Sequence, residues 1–357
     1  MDIETRLELI KRPPTEEILI EEELKQLLQS NDHPQHYQGF EISGMLHLGN
    51  FIISGFKIND FIKAGIKCQA YLADWHSFIN NKFNGDWDKI LIAAKYYEEA
   101  FKFFCPGIKI VVGSDLYHNN DEYWRNIMRF SKHMTLARTL RCMTIMGRSE
   151  NEKLDLSQYF YPPMQAVDIK EIDADIPHGG MDQRKAHALA REIFPKMGWK
   201  KPVAVHHHLL MGIAEPVKLE TKDKLEQVVA SKMSKSKPWT AIFIHDTEEQ
   251  IREKLNKAWC PEKQTEMNPV LEIVKYIVFH EKKTFKLERE SKFGGPVEFE
   301  SYEELEEQYS KGKIHPKDLK DSIAVEISNI IDPIRKHFEI PANCKLLDVF
   351  KEVEITR

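Results

Sequence analysis

The chain has 357 residues, 42% of them hydrophobic and 30% charged, with a formal net charge of -5. That is length for two domains and a large core, and the composition excludes a low-complexity or fibrous protein. The acidic balance argues against tight non-specific binding to polyanions such as DNA, so a nucleic-acid contact must come from local basic patches. The five scattered cysteines show no C-x-x-C spacing, which favours reduced thiols in a cytoplasmic protein and no zinc site. An acid-rich, amphipathic N-terminus without a signal-length apolar core, and no 18-residue apolar run, predict no membrane association.

In chain order, residues 1–34 read as a leader with a helix over 15–28. Alternating strands and helices follow. Strands are predicted over 35–41, 68–74 and 109–113, and helices over 48–64 and 87–104. This βαβα pattern predicts an α/β fold, a Rossmann-like parallel sheet covered by helices. In such sheets ligands bind beyond the carboxyl ends of the strands, where the segment 39–50 and the strand end Ala73-Asp74-Trp75-His76 would fall. Residues 115–150 read as a helical insertion carrying Arg125, Arg129, Lys132, Arg138, Arg141 and Arg148. The basic stretch reads equally as a solvated face, a dimer contact or a path for an RNA stem. Beyond residue 245 helices dominate, over 247–259, 268–279 and 316–338, with a short strand-like piece over 285–299 broken at Gly294-Gly295-Pro296. The expected organisation is therefore a catalytic domain over 35–245, a mostly α-helical domain over 246–338 and a tail over 339–357, with a last helix over 345–354.

Two short motifs carry phosphate chemistry. His47-Leu48-Gly49-Asn50 lies where the first strand gives way to a helix, and Lys232-Met233-Ser234-Lys235-Ser236 lies far downstream. Glycine allows close backbone approach to phosphate, a helix N-terminus attracts anions, and mobile ammonium groups neutralise a leaving pyrophosphate. The pair, in this order, resembles the two ATP signatures of class I aminoacyl-tRNA synthetases. A third motif, Tyr161-Pro162-Pro163-Met164-Gln165-Ala166-Val167-Asp168, opens a helix, because prolines are tolerated in a first turn. Tyr161, Gln165 and Asp168 stand at i, i+4 and i+7 and share one face. A hydroxyl, an amide and a carboxylate there make a poor core surface and a good pocket wall.

With Tyr37 before Gly39-Phe40-Glu41, the Y-P-x-M-Q-x-x-D helix, Gly179-Gly180-Met181-Asp182-Gln183, Lys292-Phe293-Gly294-Gly295 and Ile314-His315-Pro316-Lys317-Asp318, the chain resembles tyrosyl-tRNA synthetases of the archaeal and eukaryotic type over roughly residues 35–338. The resemblance implies ATP-dependent activation of L-tyrosine to tyrosyl-adenylate and its transfer to the 3′-terminal adenosine of tRNA(Tyr), usually by a homodimer. It implies that Tyr37 and Asp168 bind the phenol hydroxyl, and Tyr161, Gln165 and Gln183 the ammonium end. Asp182 would hold the ATP ribose, with Gly39, Gly49 and Gly180 allowing close approach and Met233 and Ser234 lying along the nucleotide. His47 and Asn50 would contact the phosphates, and Lys232 and Lys235 the departing pyrophosphate. Arg184 would lie near the acceptor stem, and Phe293, His315 and Asp318 at the anticodon. Mg²⁺ is expected to enter with ATP as substrate, with no dedicated carboxylate cage. Tyrosyl-tRNA synthetases are themselves the known case of rejecting phenylalanine without editing, and no editing domain is expected here.

Two departures mark the chain. Asn50 stands where the first signature usually ends in histidine, keeping a donor without a charge, and Lys235 stands where some relatives carry serine. His206-His207-His208 does not read as a metal site, since neighbours on a strand point to opposite faces. The rival readings are a tryptophanyl enzyme, which has no need of the Tyr37 and Asp168 pair, a catalytically silent synthetase-like protein that binds tRNA, and a small-molecule adenylyltransferase, for which the helical second domain would have no use.

Overall fold

The computed structural model describes residues 1–148, 152–220 and 224–351. Two compact units result, one from Met1–Gly44, Lys57–His208 and Lys345–Arg357, the other from Met45–Phe56 and Leu209–Cys344. The sequence boundary at 245 marks where helix begins to dominate. The packing division falls instead at 208, because residues 210–212 and 241–244 bond to segments inside the second unit.

In the first unit, strands β1 (Thr15–Ile18), β2 (Gln35–Glu41), β3 (Lys67–Ala73), β4 (Lys109–Val112), β5 (Ile176–Gly180) and β6 (Val205–His207) form one sheet in the order β1-β6-β5-β2-β3-β4. Strands β2 to β6 run parallel and β1 runs antiparallel along β6. The chain winds outward from β2 through β3 to β4, then returns to the other side of β2 for β5 and β6. That reversal, between β2 and β5, is the switch point where α/β sheets bind ligands. β5 is buried along its whole length and β3 beyond its first residue, as strands covered on both faces must be. The parallel-sheet expectation holds.

Residues 15–28 are not one helix. Thr15 and Ile18 pair with His207 and Val205 in the edge strand β1, and only Glu21–Ser30 turns helical. Strand pairing overrides the weak helical pattern there. The leader is also a built part of this unit. Buried Arg6 donates to the carbonyls of Ala64 (2.8 Å) and Asp32 (2.9 Å). The fully buried Lys57 ammonium donates to the carbonyls of Leu9, Ile10 and Arg12 and to Asp60, all at 3.0–3.1 Å. The tail docks too: Phe350 meets Tyr96 edge to face with ring centres 5.0 Å apart. Its expected helix is a 3-10 turn over Lys345–Phe350, and residues 352–354 of that expectation lie outside the described residues.

The helix Trp87–Phe104 matches its expected span, capped by Asp86, which accepts from the Lys89 amide at 3.1 Å. The insertion is helical over Gly113–Tyr117, Asp121–Ser131 and Leu136–Cys142. Its basic residues are partly committed: Arg125 pairs with Glu122, Arg138 with Glu192 (2.5 Å), and Arg148 donates to Asn80 (3.0 Å). No helix among the described residues is long and apolar enough to cross a membrane.

In the second unit, Glu248–Lys257 packs Ile251 and Leu255 against the long helix Pro316–Glu339, whose Leu319, Ile323, Ile327 and Ile331 are buried. Strands β7 (Phe285–Leu287) and β8 (Val297–Phe299) pair antiparallel, Phe285 opposite Phe299.

Candidate active site

In the first unit the face predicted for Tyr161–Glu171 forms, and every member of its polar trio finds a distinct setting. Prolines 162 and 163 occupy the first turn and the helix is buried nearly throughout. Asp168 is fully buried. Its Oδ1 accepts from the hydroxyls of Tyr117 (3.0 Å) and Tyr123 (2.9 Å), while its Oδ2 has no hydrogen-bond partner. His76 Nε2 lies 3.6 Å from that oxygen, and both ring nitrogens of His76 are buried without a partner. Tyr37 on β2 packs its ring 5.7 Å from that of Tyr71. A Cβ on Gly39 would meet the Tyr37 hydroxyl at 2.7 Å, so the glycine makes room for that phenol along the strand.

At the other end of the helix, the Tyr161 hydroxyl donates to Glu41 (3.4 Å), and Asn80 also donates to Glu41 (2.7 Å). Gln165 donates to Gln183 (3.0 Å), which in turn donates to the Ile145 carbonyl (3.1 Å). The Gln165 Oε1 is buried and unpartnered. Buried polar atoms rarely go unpaired. Here they are a carboxylate oxygen, an amide oxygen and an imidazole, which suits a ligand with a hydroxyl and an ammonium group.

Electrostatics follow from burial. Burial pushes the Asp168 carboxyl up to about 7, and the tyrosine hydroxyls on it pull the other way. Burial, then the charge of Asp168, pushes the Tyr37 phenol well above its ordinary value.

Gly179 and Gly180 end β5. A Cβ on Gly179 would meet Gln183 at 3.0 Å, so this glycine seats the glutamine. Behind the strand runs a chain of buried imidazoles: His36 Nε2 to His178 Nδ1 at 3.1 Å, and His178 Nε2 to His207 Nδ1 at 2.8 Å. His206 turns instead to His187 (3.0 Å) and Glu17 (2.9 Å), and His208 to Glu16 (3.0 Å). Adjacent histidines thus take different partners. Among the described residues no group of three or more His, Cys, Asp or Glu is placed to hold a metal ion.

In the second unit the structure brings the two short signatures together. Phe243 bridges His47, with the Leu48 amide donating to the Ile242 carbonyl (3.0 Å) and the Ile244 amide to Leu46 (3.1 Å). The Met233 amide donates to Leu210 (2.8 Å). A Cβ on Gly49 would lie 3.3 Å from the His47 ring and 3.4 Å from the Met233 Cβ, so the glycine is the contact between the motifs. His47 caps the turn Leu48–Ile52: its Nδ1 accepts from the Gly49 amide (3.1 Å), while its own amide donates to Asn50 Oδ1 (2.8 Å). Burial, then the charges of Lys235 and Lys232, holds His47 well below the usual imidazole value. A neutral ring accepting at Nδ1 carries its proton on Nε2.

Arg184 is engaged on the surface by Glu17, its Nε 2.9 Å from both carboxylate oxygens. Phe293 is 59% exposed beside Gly294 and Gly295, whose φ values of 103° and 72° require glycine. Arg289 ties that loop to the start of the long helix, donating to the carbonyls of Gly295 (2.6 Å) and Lys313 (3.0 Å). There His315 caps the helix by accepting from the Lys317 amide (3.1 Å), and Asp318 lies in its first turn, half-buried.

Sequence reading missed Tyr71, Tyr117, Tyr123 and Arg289. Only the Ala73-to-His76 strand end pointed near His76.

A doubly wound sheet with unpaired ligand-facing groups, and a separate unit joining the two phosphate signatures, define a nucleotide-dependent activating enzyme. A family model described as tRNA synthetases class I (W and Y) matches residues 29–332, and the chain belongs to that family. It is 45% identical to tyrosine–tRNA ligase 1 of Pyrobaculum aerophilum over 376 residues, covering 100% of both chains. It is 44% identical to tyrosine–tRNA ligase of Pyrococcus furiosus over 378 residues, again covering 100% of both. Among solved structures, tyrosyl-tRNA synthetase complexed with L-tyrosine from Pyrococcus horikoshii matches with a TM-score of 0.91 at 43% identity, covering 99% of this chain and 100% of that one. The similarity therefore runs beyond residues 35–338 to include the leader and the tail. Tryptophanyl-tRNA synthetase of Plasmodium falciparum, at 17% identity and a TM-score of 0.66 over 98% of this chain and 90% of that one, shares the fold alone.

Proposed function

We propose that this chain activates L-tyrosine with ATP and transfers it to the 3′-terminal adenosine of tRNA(Tyr). The observation that carries the reading is the unpartnered Asp168 Oδ2 in a fully buried site beside Tyr37. A phenol hydroxyl donates to that oxygen and accepts from Tyr37, whereas an indole N–H can only donate. The similarity to tyrosine–tRNA ligases across the whole chain supports the same reading.

In this reading the phenol end sits at Tyr37 and Asp168, and the ammonium group at Tyr161, Gln165 and Gln183, where Gln165 Oε1 awaits a donor. The tyrosine carboxylate attacks the α-phosphate of ATP in line, forming the mixed anhydride as the bond to pyrophosphate breaks. Asp182 binds the ribose and Gly180 admits the nucleotide. His47 Nε2–H and the Asn50 amide donate to phosphate oxygens, and Lys232 and Lys235 neutralise the pyrophosphate. Mg²⁺ bound to the ATP phosphates would add charge neutralisation there. A terminal ribose hydroxyl of the tRNA then attacks the carbonyl and releases AMP. Phe293, His315 and Asp318 read the anticodon, and Arg184 contacts the acceptor stem after leaving Glu17. The reading includes a homodimer, supported by exposed Trp124, Met128 and Leu136 on the insertion, with sedimentation giving the mass.

The test is amino-acid-dependent ATP–pyrophosphate exchange without tRNA. Exchange with tyrosine alone supports the proposal, exchange with tryptophan overturns the assignment of Asp168, and no exchange with either removes the activity.

A further inference from the structure

Asp168 is approached from every side by groups able to donate or to carry charge. Tyr37 comes from β2, Tyr71 from β3, Asp74 and His76 from the turn of helix Asp74–Ile79, Tyr117 and Tyr123 from the insertion. Their arrangement is uneven. Tyr117 and Tyr123 both donate to Oδ1, and the Tyr71 hydroxyl bonds to that of Tyr117, extending the chain by one member. All three phenols are buried in one core cluster, the rings of Tyr117 and Tyr123 tilted against each other with centres 4.3 Å apart. Nothing donates to Oδ2.

A lone buried carboxyl escapes its desolvation cost by taking up a proton. A protonated Asp168 could rotate and donate to a neighbour, satisfying itself in an empty pocket. Phenylalanine would then bind without leaving a charged oxygen stranded. Donors fixed on Oδ1 oppose both the protonation and the rotation.

We propose that the hydroxyls of Tyr71, Tyr117 and Tyr123 are specificity-determining groups, which hold Asp168 as an oriented carboxylate with Oδ2 as its one open acceptor, so that the bound amino acid must carry a para-hydroxyl. They act through Asp168 and are positioning residues, not catalytic ones. The inference rests on the tyrosine reading above. The Tyr71 and Tyr117 hydroxyls have no other evident purpose, since phenylalanine would fill the same core.

The experiment is pyrophosphate exchange by the full chain and by Y71F, Y117F, Y123F and the Y117F/Y123F pair, with tyrosine and with phenylalanine, between pH 6 and 8.5. Phenylalanine keeps the rings and the packing. We expect the double variant to raise KM for tyrosine about tenfold, as loss of hydrogen bonds to a charged group does, with the loss in KM rather than kcat. The tyrosine-to-phenylalanine ratio of kcat/KM should fall at least about tenfold, and the acid limb of the tyrosine profile should move to higher pH. A merely structural role moves none of these. Unchanged ratio and unchanged acid limb in the double variant, with wild-type exchange specific for tyrosine, overturn the cage while leaving the tyrosine reading intact. Wild-type exchange with tryptophan instead overturns both. If a variant loses exchange, calorimetric binding of tyrosine against phenylalanine reads the same ratio without ATP, and an unchanged ratio there again overturns the proposal.

Discussion

His47 Nδ1 accepts the backbone N–H of Gly49 at 3.1 Å, and this one bond fixes which ring nitrogen is left as the donor. The ring that closes the turn is thereby committed to the neutral form with its proton on Nε2. Its neighbours Lys232 and Lys235 reinforce that state.

His47 therefore stays neutral throughout the physiological range. The pH profile of kcat for tyrosine activation is expected to show no step near 6.5 that belongs to this residue. His47→Ala should lower kcat by about 10²–10³, the usual cost of a donor aimed at developing charge. A titration near 6.5 present in the native enzyme and absent in the variant would contradict the assignment.

Asp168 behaves differently. Its folded value of about 7 lies above the ordinary 3.8, so in the empty enzyme the carboxylate is protonated as pH falls below 7. Because kcat/KM reports the free enzyme, kcat/KM for tyrosine should drop tenfold per pH unit below about 7. The same raised value means stability is present at low pH and lost as pH rises through 7. Asp168→Asn should accordingly unfold at higher urea than the native chain at pH 8 while losing tyrosine selectivity. A variant less stable at pH 8, or equally selective, goes against this account.

The imidazole chain has the opposite sign. Burial lowers His36 and His207 to about 3 and His178 well below its usual value. These groups stay neutral in the fold and charge in the unfolded chain once pH falls below 6.5. Stability is therefore intact above 6.5 and lost between about 6.5 and 3, by at most about 1.4 kcal/mol per pH unit for each group. Urea midpoints at pH 7.5 and 5 should differ accordingly, and His178→Gln should flatten that difference. An unchanged pH dependence in the variant would show that other groups carry it.

Lys57 donates to backbone carbonyls of Leu9, Ile10 and Arg12 while pairing with Asp60. Lys57→Ala takes one donor from each of the three carbonyls and the ammonium from Asp60, which keeps its ion pair with Arg12 at 3.0 Å, a change expected to cost about 1–3 kcal/mol. Limited proteolysis should then cut within the leader first. Protection of residues 3–18 equal to that of the native chain would show the clamp is not what holds them.

Phe293 stands exposed on its two-glycine loop. Phe293→Ala should weaken tRNA charging by about 1–3 kcal/mol, the worth of one stacked base, raising KM for tRNA. Pyrophosphate exchange, which needs no tRNA, gives the baseline. Charging equal to native would remove Phe293 from the anticodon contact.

Sequence alone determined a good deal. The alternation of apolar strands and helices fixed the parallel sheet, since a covered strand has little choice but to be apolar throughout. The spacing of Tyr161, Gln165 and Asp168 fixed a shared helix face, because helical geometry is local. The two phosphate signatures were legible from residue type and order. What sequence could not determine was long-range pairing. Thr15–Ile18 read as helix until an edge of the sheet claimed it. The tyrosines at positions 71, 117 and 123 drew no reading from the sequence, since nothing nearby in the chain announces a carboxylate. Only the fold brings β3, the insertion and the helix Tyr161–Glu171 together around Asp168. Such contacts belong to no local pattern: their free energy comes from burial, and burial is a property of the folded chain.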